Sequence, residues 1–129
     1  MAKQFVVQLK NEPGAMATLA EALAARGVDL RAIGGGGIGD SGHVIMTTAD
    51  DETTKQVLDE GGYTYIEGES ILAEVDDRPG GMAAMSRQLA DAGVNIYGHL
   101  FLGRWGDRAM FAFVVDDPDR ARPILERKA

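Results

Sequence analysis

Apolar and polar residues follow a regular series of periodicities along the first half of the chain. Residues 3–10 alternate, with Phe5, Val7 and Leu9 on one face, which predicts a strand. Residues 15–26 carry apolar side chains at helical spacing, and Gly27 is typical of a left-handed helix C-cap. The same pattern predicts strands at 28–33, 43–49 and 63–67 and a helix from about 50 to 60, so the first unit is β-α-β-β-α-β.

The second half of the chain repeats this order of elements. The pattern predicts, in turn, strand 71–76, turn 77–80, helix 81–92, strand 94–102, turn 103–107, strand 109–115 and helix 118–127. With right-handed crossovers, a β-α-β-β-α-β order gives a ferredoxin-like sandwich, with both helices on one face of an antiparallel sheet. We therefore predict an α+β protein of two tandem ferredoxin-like units, residues 1–68 and 69–129, the second lacking its own final strand.

The repeat is clearest at the turn between the first strand and the first helix. Asn11–Leu30 and Asp77–Ile96 lie 66 positions apart and share eight of twenty residues, including the Pro-Gly pair of each turn. Asn favours a helix N-cap and Pro the first helical turn, so we expect each turn to open a helix. Without a gap, the same offset aligns Asp50-Asp51 with Asp116-Asp117, which we interpret as N-caps rather than as paired catalytic carboxylates.

The run Gly34–Gly37 aligns with Leu100–Gly103, so one unit has no side chains where the other has large ones. Glycine within a strand weakens it and often marks the close approach of a backbone or a ligand. One hypothesis is that the tract packs against Leu100–Leu102 of a neighbouring unit or against a ligand. The other is a flexible hairpin arm without a role, and the sequence favours neither.

Composition excludes several classes of function. The chain has 129 residues, no cysteine, and a net charge of −7 from 13 basic and 20 acidic residues. Disulfides, thiolate catalysis and cysteine metal sites are thereby excluded, and the acidic balance disfavours nucleic acid as a partner. His43 and His99 are the only histidines, and we interpret both as strand residues rather than metal ligands. With no apolar run of the roughly 20 residues that a membrane span needs, and no signal-peptide core, we expect a cytoplasmic protein without a cofactor.

A strand that ends in Asn/Asp-x-Pro-Gly, followed by a helix and then Gly-Val-Asn/Asp-Ile/Leu, resembles the ACT domain. The resemblance runs from Phe5 through Leu30 and onward, and again from Ile71 through Ile96 and onward; Asp77-Arg78-Pro79-Gly80 is closest to the form in aspartokinase-like regulatory domains. It implies a small-molecule sensor, usually of an amino acid, whose units pair side by side and hold the effector at their interface, against the strand-to-helix turns. Because no catalytic domain is attached, we expect a free-standing tandem ACT protein.

The two turns are the predicted ligand sites. The first N–H groups of a helix have no intrahelical acceptor, so a carboxylate would dock there. An ammonium group would find an acceptor in the Asn11 or Asp77 side chain, helped by backbone carbonyls. The predicted binding residues are Asn11, Glu12, Pro13, Gly14, Ala15, Met16 and Ile33 in the first unit, and Asp77, Arg78, Pro79, Gly80, Gly81, Met82 and His99 in the second. Alternatively both turns are purely structural, and we interpret the side chains of Met16, Met82 and Met85 as core packing.

Three classes of function remain. The first is a regulatory sensor without catalytic activity, which binds a small effector, forms a homodimer and acts on a metabolic enzyme or regulator. The second is an adaptor that pairs with another protein through its sheet edges and carries no effector; the missing strand favours it by leaving residues 71–76 near an open edge. The third is an enzyme, which we disfavour because the sequence shows no nucleophile with a base, no metal cluster and no phosphate loop.

Overall fold

The computed structural model describes residues 2–126, and the chain divides into two compact units, Met1–Glu67 and Gly68–Ala129. The elements of the first unit are β1 Lys3–Lys10, α1 Ala15–Ala25, β2 Leu30–Ile38, β3 Ser41–Thr48 and α2 Asp51–Glu60, and β4 Tyr65–Glu69 spans the division. The elements of the second unit are β5 Ile71–Asp76, α3 Gly81–Asp91, β6 Ile96–Trp105, β7 Arg108–Val115 and α4 Pro118–Leu125. The final helix was predicted to run to residue 127, but α4 ends at Leu125, and residue 127 lies outside the described residues.

Each unit is built on one sheet. The strand order is β2-β3-β1-β4 in the first sheet and β5-β7-β6 in the second. β1 and β2 both pair antiparallel with β3, and β5 and β6 both pair antiparallel with β7. The predicted fold of two ferredoxin-like units is therefore confirmed, and within residues 2–126 the second unit has no fourth strand in its sheet. None of the described helices is both long enough and apolar enough to cross a membrane.

The core of the first unit lies between its sheet and its helices. Phe5 and Val7 of β1 are fully buried, as the alternation of that strand predicts, and they pack with Met46 of β3. The helix α1 covers them with Leu19 and Leu23, whose spacing of four residues places both on one helix face. α2 adds Val57 and Leu58 to the same core.

The core of the second unit is built in the same way. Ile71 of β5 and Phe113 of β7 are buried beneath Leu89 of α3 and beneath Ala121 and Leu125 of α4. Met82 and Met85 are half-buried and pack against this core, so their interpretation as core residues is confirmed.

The Pro-Gly pair of each turn lies before the helix, not within its first turn. Ala15 N donates to Glu12 O at 3.3 Å, and Gly14, at φ 89° and ψ −13°, is the N-cap of α1. This is the geometry of a type II β-turn, in which Pro fits the second position and only Gly fits the third without strain. Gly80, at φ 90° and ψ −10°, repeats it before α3.

The expectation that Asn caps the first helix is therefore wrong, because the β-turn separates Asn11 from the helix start. The Asn11 side chain instead donates from Nδ2 to Gly39 O at 2.9 Å. It ties the strand-to-helix turn to the loop between β2 and β3.

The repeat offset of 66 changes to 67 within β6. Its pairing with β7 is irregular between Phe101 and Gly103, where a β-bulge inserts one extra residue. Beyond the bulge the two-residue loops Gly39-Asp40 and Gly106-Asp107 correspond, and both glycines have φ 61°. The predicted turn at 103–107 was too long, since β6 extends to Trp105 and only two residues separate it from β7.

The bulge also corrects the alignment of the acidic pairs. Asp50 caps α2 by accepting from Thr53 N, and Asp117 caps α4 by accepting from Arg120 N. Asp116 instead accepts from Asn95 N at 2.9 Å. N-capping is thus confirmed for one residue of each pair, but Asp50 corresponds to Asp117, not to Asp116.

We predict that Gly14→Ala destabilises the chain by about 1–2 kcal/mol, because a Cβ is strained at positive φ. The measurement is the free energy of unfolding from urea denaturation. Gly36→Ala is the matched control, since Gly36 lacks a positive φ and a Cβ there meets no atom within 4 Å. Equal losses in the two variants would contradict the turn geometry.

A second prediction concerns the loss of stability at acidic pH. The Thr53 hydroxyl, and then the Thr53 N–H, hold the pKa of Asp50 below its usual value of 3.8. The stability that this carboxylate contributes is present above the unfolded-state pKa and is lost as the pH falls through the lower folded-state value. Asp50→Asn keeps an N-cap but removes the titration. The unfolding free energy of this variant should therefore depend less on pH in that range, and an unchanged acid dependence would refute the assignment.

Candidate functional site

A cavity of about 370 Å³ lies at the N-terminal end of α1, within the first unit. Five of the predicted binding residues line it together: Asn11, Glu12, Ala15, Met16 and Ile33. Pro13 and Gly14 form the adjacent β-turn and are exposed. The lining also includes Gly34, Gly35 and Gly36 of the glycine tract, for which contact with a ligand was one hypothesis. The remaining lining residues were not predicted: Leu9, Lys10, Gly42, His43 and Val44.

The glycine tract of β2 creates this space. Gly35 is paired with buried Val44 and Gly37 with Gly42, and paired residues share a face, so both glycines lie on the helix-covered face of the sheet. A Cβ on Gly37 would lie 2.6 Å from Cγ of Asn11. The tract is strand without side chains, and a Cβ on Gly35 would collide with the backbone of His43, so glycine permits the close approach of β3 there.

The first turn of α1 offers hydrogen-bond donors to the cavity. Ala15 N is used within the β-turn, and Thr18 N donates to Gly14 O at 2.9 Å. Between them, the N–H groups of Met16 and Ala17 have no acceptor within the described residues. They carry the partial positive charge of the helix N-terminus, which favours an anionic group such as a carboxylate.

The Asn11 side chain presents an acceptor to the same region. Its backbone N–H donates to Asp40 O at 3.0 Å, and its side-chain Nδ2 donates to Gly39 O. A carbonyl oxygen only accepts, so this contact fixes the amide with Nδ2 towards Gly39. Oδ1 is then the free end, and no group of residues 2–126 donates to it.

Met16 and Ile33 form an apolar wall. Their side chains are 36% and 49% exposed, so the interpretation of Met16 as a core residue is wrong. The buried positions of α1 are Leu19 and Leu23, and Met16 lies at the end of the helix beside the glycine tract, which offers no side chain to cover it.

The predicted residues of the second turn are arranged differently. Asp77 Oδ2 accepts from Arg104 Nε at 2.8 Å, a partner that the sequence did not reveal. Arg78 forms an ion pair with Asp76 at 3.3 Å, and His99 packs against the ring of Phe113. Pro79 and Gly80 are exposed in the β-turn, and Met82 packs against the core. Gly81 is buried and lines a different cavity of about 150 Å³, together with Glu74, Val75, Asp76, Ala84, Met85, Gln88, Arg108 and Ile124.

Comparison with known families adds an identity to the first unit. Residues 3–60, which include the turn, α1, the glycine tract and α2, match the family model of the ACT domain. The first unit is an ACT domain. A search of curated proteins found no match.

Solved structures share the fold over both units. The protein BT0572 from Bacteroides thetaiotaomicron has a TM-score of 0.71 at 20% identity, covering 97% of this chain and 86% of that one. The ligand-free regulatory subunit of aspartate kinase from Thermus thermophilus has a TM-score of 0.62 at 20% identity, covering 97% and 87%. The tandem arrangement of ACT-like folds predicted from the repeated turn is thus confirmed.

We predict that Met16→Ala costs less than about 1 kcal/mol of stability, because the side chain is partly exposed at the cavity. Leu19→Ala, three residues along the same helix, should cost about 2–5 kcal/mol because it empties a fully buried position. Urea unfolding of the two variants measures the difference. Comparable losses would mean that Met16 is packed as a core residue.

Proposed function

We propose that the ACT domain of residues 3–60 binds a small α-amino acid with an apolar side chain, and that the chain is a regulatory sensor rather than an enzyme. The observation that carries this proposal is the cavity at the N-terminus of α1. It places unsatisfied N–H groups, a free amide oxygen and an apolar wall around one space.

The N–H groups of Met16 and Ala17 suit the carboxylate of the ligand. Hydrogen bonds to a charged group contribute roughly 1.5–3 kcal/mol each, more than those between neutral groups. The cavity floor of Gly35 and Gly42 lets the ligand approach the backbone, because no Cβ projects there.

Asn11 Oδ1 suits the ammonium group. Fixed by its Nδ2 contact with Gly39, the amide needs little reordering on binding, which lowers the entropic cost of association. An α-amino acid carries both groups: a carboxylate for the N–H groups of α1 and an ammonium group for Asn11 Oδ1.

The lining favours an apolar side chain on the ligand. Met16, Ile33 and Val44 present aliphatic or thioether groups, and covering the first two would remove exposed apolar surface from water. Lys10 and Glu12 line the cavity with opposite charges, so neither sign dominates to select a charged ligand. Valine, leucine, isoleucine and methionine have the required shape and chemistry.

The regulatory role rests on the family and on the absence of catalytic features in the sequence. One of the similar structures is a regulatory subunit of aspartate kinase. By analogy, this chain would pass the amino-acid signal to a metabolic enzyme or regulator, acting as a homodimer in the cytoplasm. That the effector lies at an interface between ACT units stays a prediction.

A second candidate is an adaptor that binds another protein through a sheet edge. β5 lies at the edge of its three-stranded sheet, and Leu72 on this strand is 55% exposed. An unpaired strand edge can accept a strand from another chain.

The experiment is a thermal-shift screen of the twenty amino acids, followed by calorimetry. At a hundred times its Kd, a ligand adds about 2.7 kcal/mol, which raises the Tm of a small domain by roughly 10 °C or more. We expect valine, leucine, isoleucine or methionine to give the largest shift, and glycine, aspartate and lysine to give little.

Two acidic variants localise the site. Ala15→Asp places a carboxylate in the cavity, where it occupies the helix N-terminus and repels the ligand, and binding should weaken at least tenfold. Thr18→Asp adds the same charge near the start of the same helix, on an exposed residue that does not line this cavity and whose N–H already donates to Gly14 O, and should leave binding nearly unchanged. If no amino acid shifts the Tm, the adaptor takes precedence, and its test is complex formation through β5.

A further inference from the structure

The two strand-to-helix turns differ in the side chains that lie beside them on the neighbouring strand, which is β2 in the first unit and β6 in the second. Before the bulge of β6, Phe101 corresponds to Gly35. Gly35 pairs with Val44 and Phe101 pairs with Phe111, and these partners are each the fourth residue of their strand after the hairpin loop. Beyond the bulge, Arg104 takes the place of Gly37. The second unit therefore has an aromatic ring and a guanidinium group where the first has two glycines.

These two side chains lie beside the second turn and contact each other. The Phe101 ring packs edge-on against Phe111, with centroids 5.6 Å apart, and the Arg104 guanidinium carbon lies 4.8 Å from the Phe101 ring centre. Arg104 Nε donates to Asp77 Oδ2, and Asp77 is the counterpart of Asn11. In the first unit, a Cβ on Gly37 would already crowd the Asn11 side chain.

We infer that the effector site exists only in the first unit, and that Arg104 occupies the second, taking at Asp77 the place that the ammonium group of an effector would take. This inference rests on the proposed function. A ligand at the second turn would have to displace Arg104 from both Asp77 and Phe101, whereas at the first turn it meets no side chain on β2 between Ile33 and Ile38. The chain therefore carries one effector site and one unit that does not respond to the effector.

The test is a titration of the ¹⁵N-labelled full chain with L-isoleucine and, separately, L-valine, L-leucine and L-methionine, followed by two-dimensional NMR. Amide shifts are expected for Met16, Ala17 and Gly34–Gly37, with the Arg104 Nε–H signal unchanged. Since binding in one unit can perturb the other indirectly, the decisive comparison uses variants.

The variant Asn11→Asp with Gly37→Arg installs the ion pair of the second unit in the first. It should abolish the ligand-induced shifts throughout the chain. The control is Ile38→Arg, which leaves Asn11 unchanged and places a guanidinium on a neighbouring residue that is 90% exposed, so shifts should persist. Shifts of Met82, Ala83 or Arg104 that survive in the first variant would show a second site and overturn the inference.

The reciprocal variant Asp77→Asn, Phe101→Gly, Arg104→Gly should gain a second set of shifts around Met82 and Ala83. Arg104→Ala alone is the milder version if the triple variant unfolds, and it should allow weaker binding at the same place. If both variants fold and neither gains new shifts around Met82 and Ala83, the role of Arg104 is refuted. If the wild-type chain shows no shifts with any of the four amino acids, the proposed function is refuted and this inference falls with it.

Discussion

A glycine at positive φ fixes where each first helix begins. Gly14 and Gly80 complete type II β-turns that only glycine fits without strain, and each helix starts at the following residue. In the first unit this turn leaves the N–H groups of Met16 and Ala17 without acceptors and frees Asn11 from capping. The donors and the acceptor that define the candidate site therefore both result from the β-turn.

The cavity also depends on what is absent from β2. Strands normally cover the space beside a helix with alternating side chains, and β2 has none from Gly34 to Gly37. The second unit shows an alternative arrangement of the same fold. There Arg104 of β6 pairs with Asp77 and lies over the Phe101 ring, whereas the N–H groups of Met82 and Ala83 lack an acceptor among the described residues, as their counterparts do in the first unit. The repeated fold supplies the same turn twice, and a few side chains decide whether it faces an open cavity.

Much of the fold could be predicted from the sequence because its signals are local. The alternation around Phe5, the helical spacing of Leu19 and Leu23, and the repeated Pro-Gly pair each indicate one element. The bulge at Phe101–Gly103 could not be predicted, because one extra residue in a strand changes the pairing and not the hydrophobic pattern. It shifted the alignment by one residue and obscured the correspondence of Gly37 with Arg104.

The candidate site was predictable only where it coincides with the turn. Asn11, Glu12, Ala15, Met16 and Ile33 do meet at one cavity, but Val44, Gly42 and His43 come from a strand whose register the sequence does not specify. Arg104 pairs with Asp77, which lies 27 positions earlier in the chain, and no local sequence pattern predicts such a contact.

The central claim is that the first ACT domain recognises the carboxylate of an amino acid at the N-terminus of α1. The most direct measurement compares the calorimetric affinities of L-isoleucine and L-isoleucinamide, which share the side chain and the ammonium group and differ only in the carboxylate. Losing a charge-assisted hydrogen bond worth about 1.5–3 kcal/mol should weaken binding at least tenfold. Equal affinities for the acid and the amide would contradict the account.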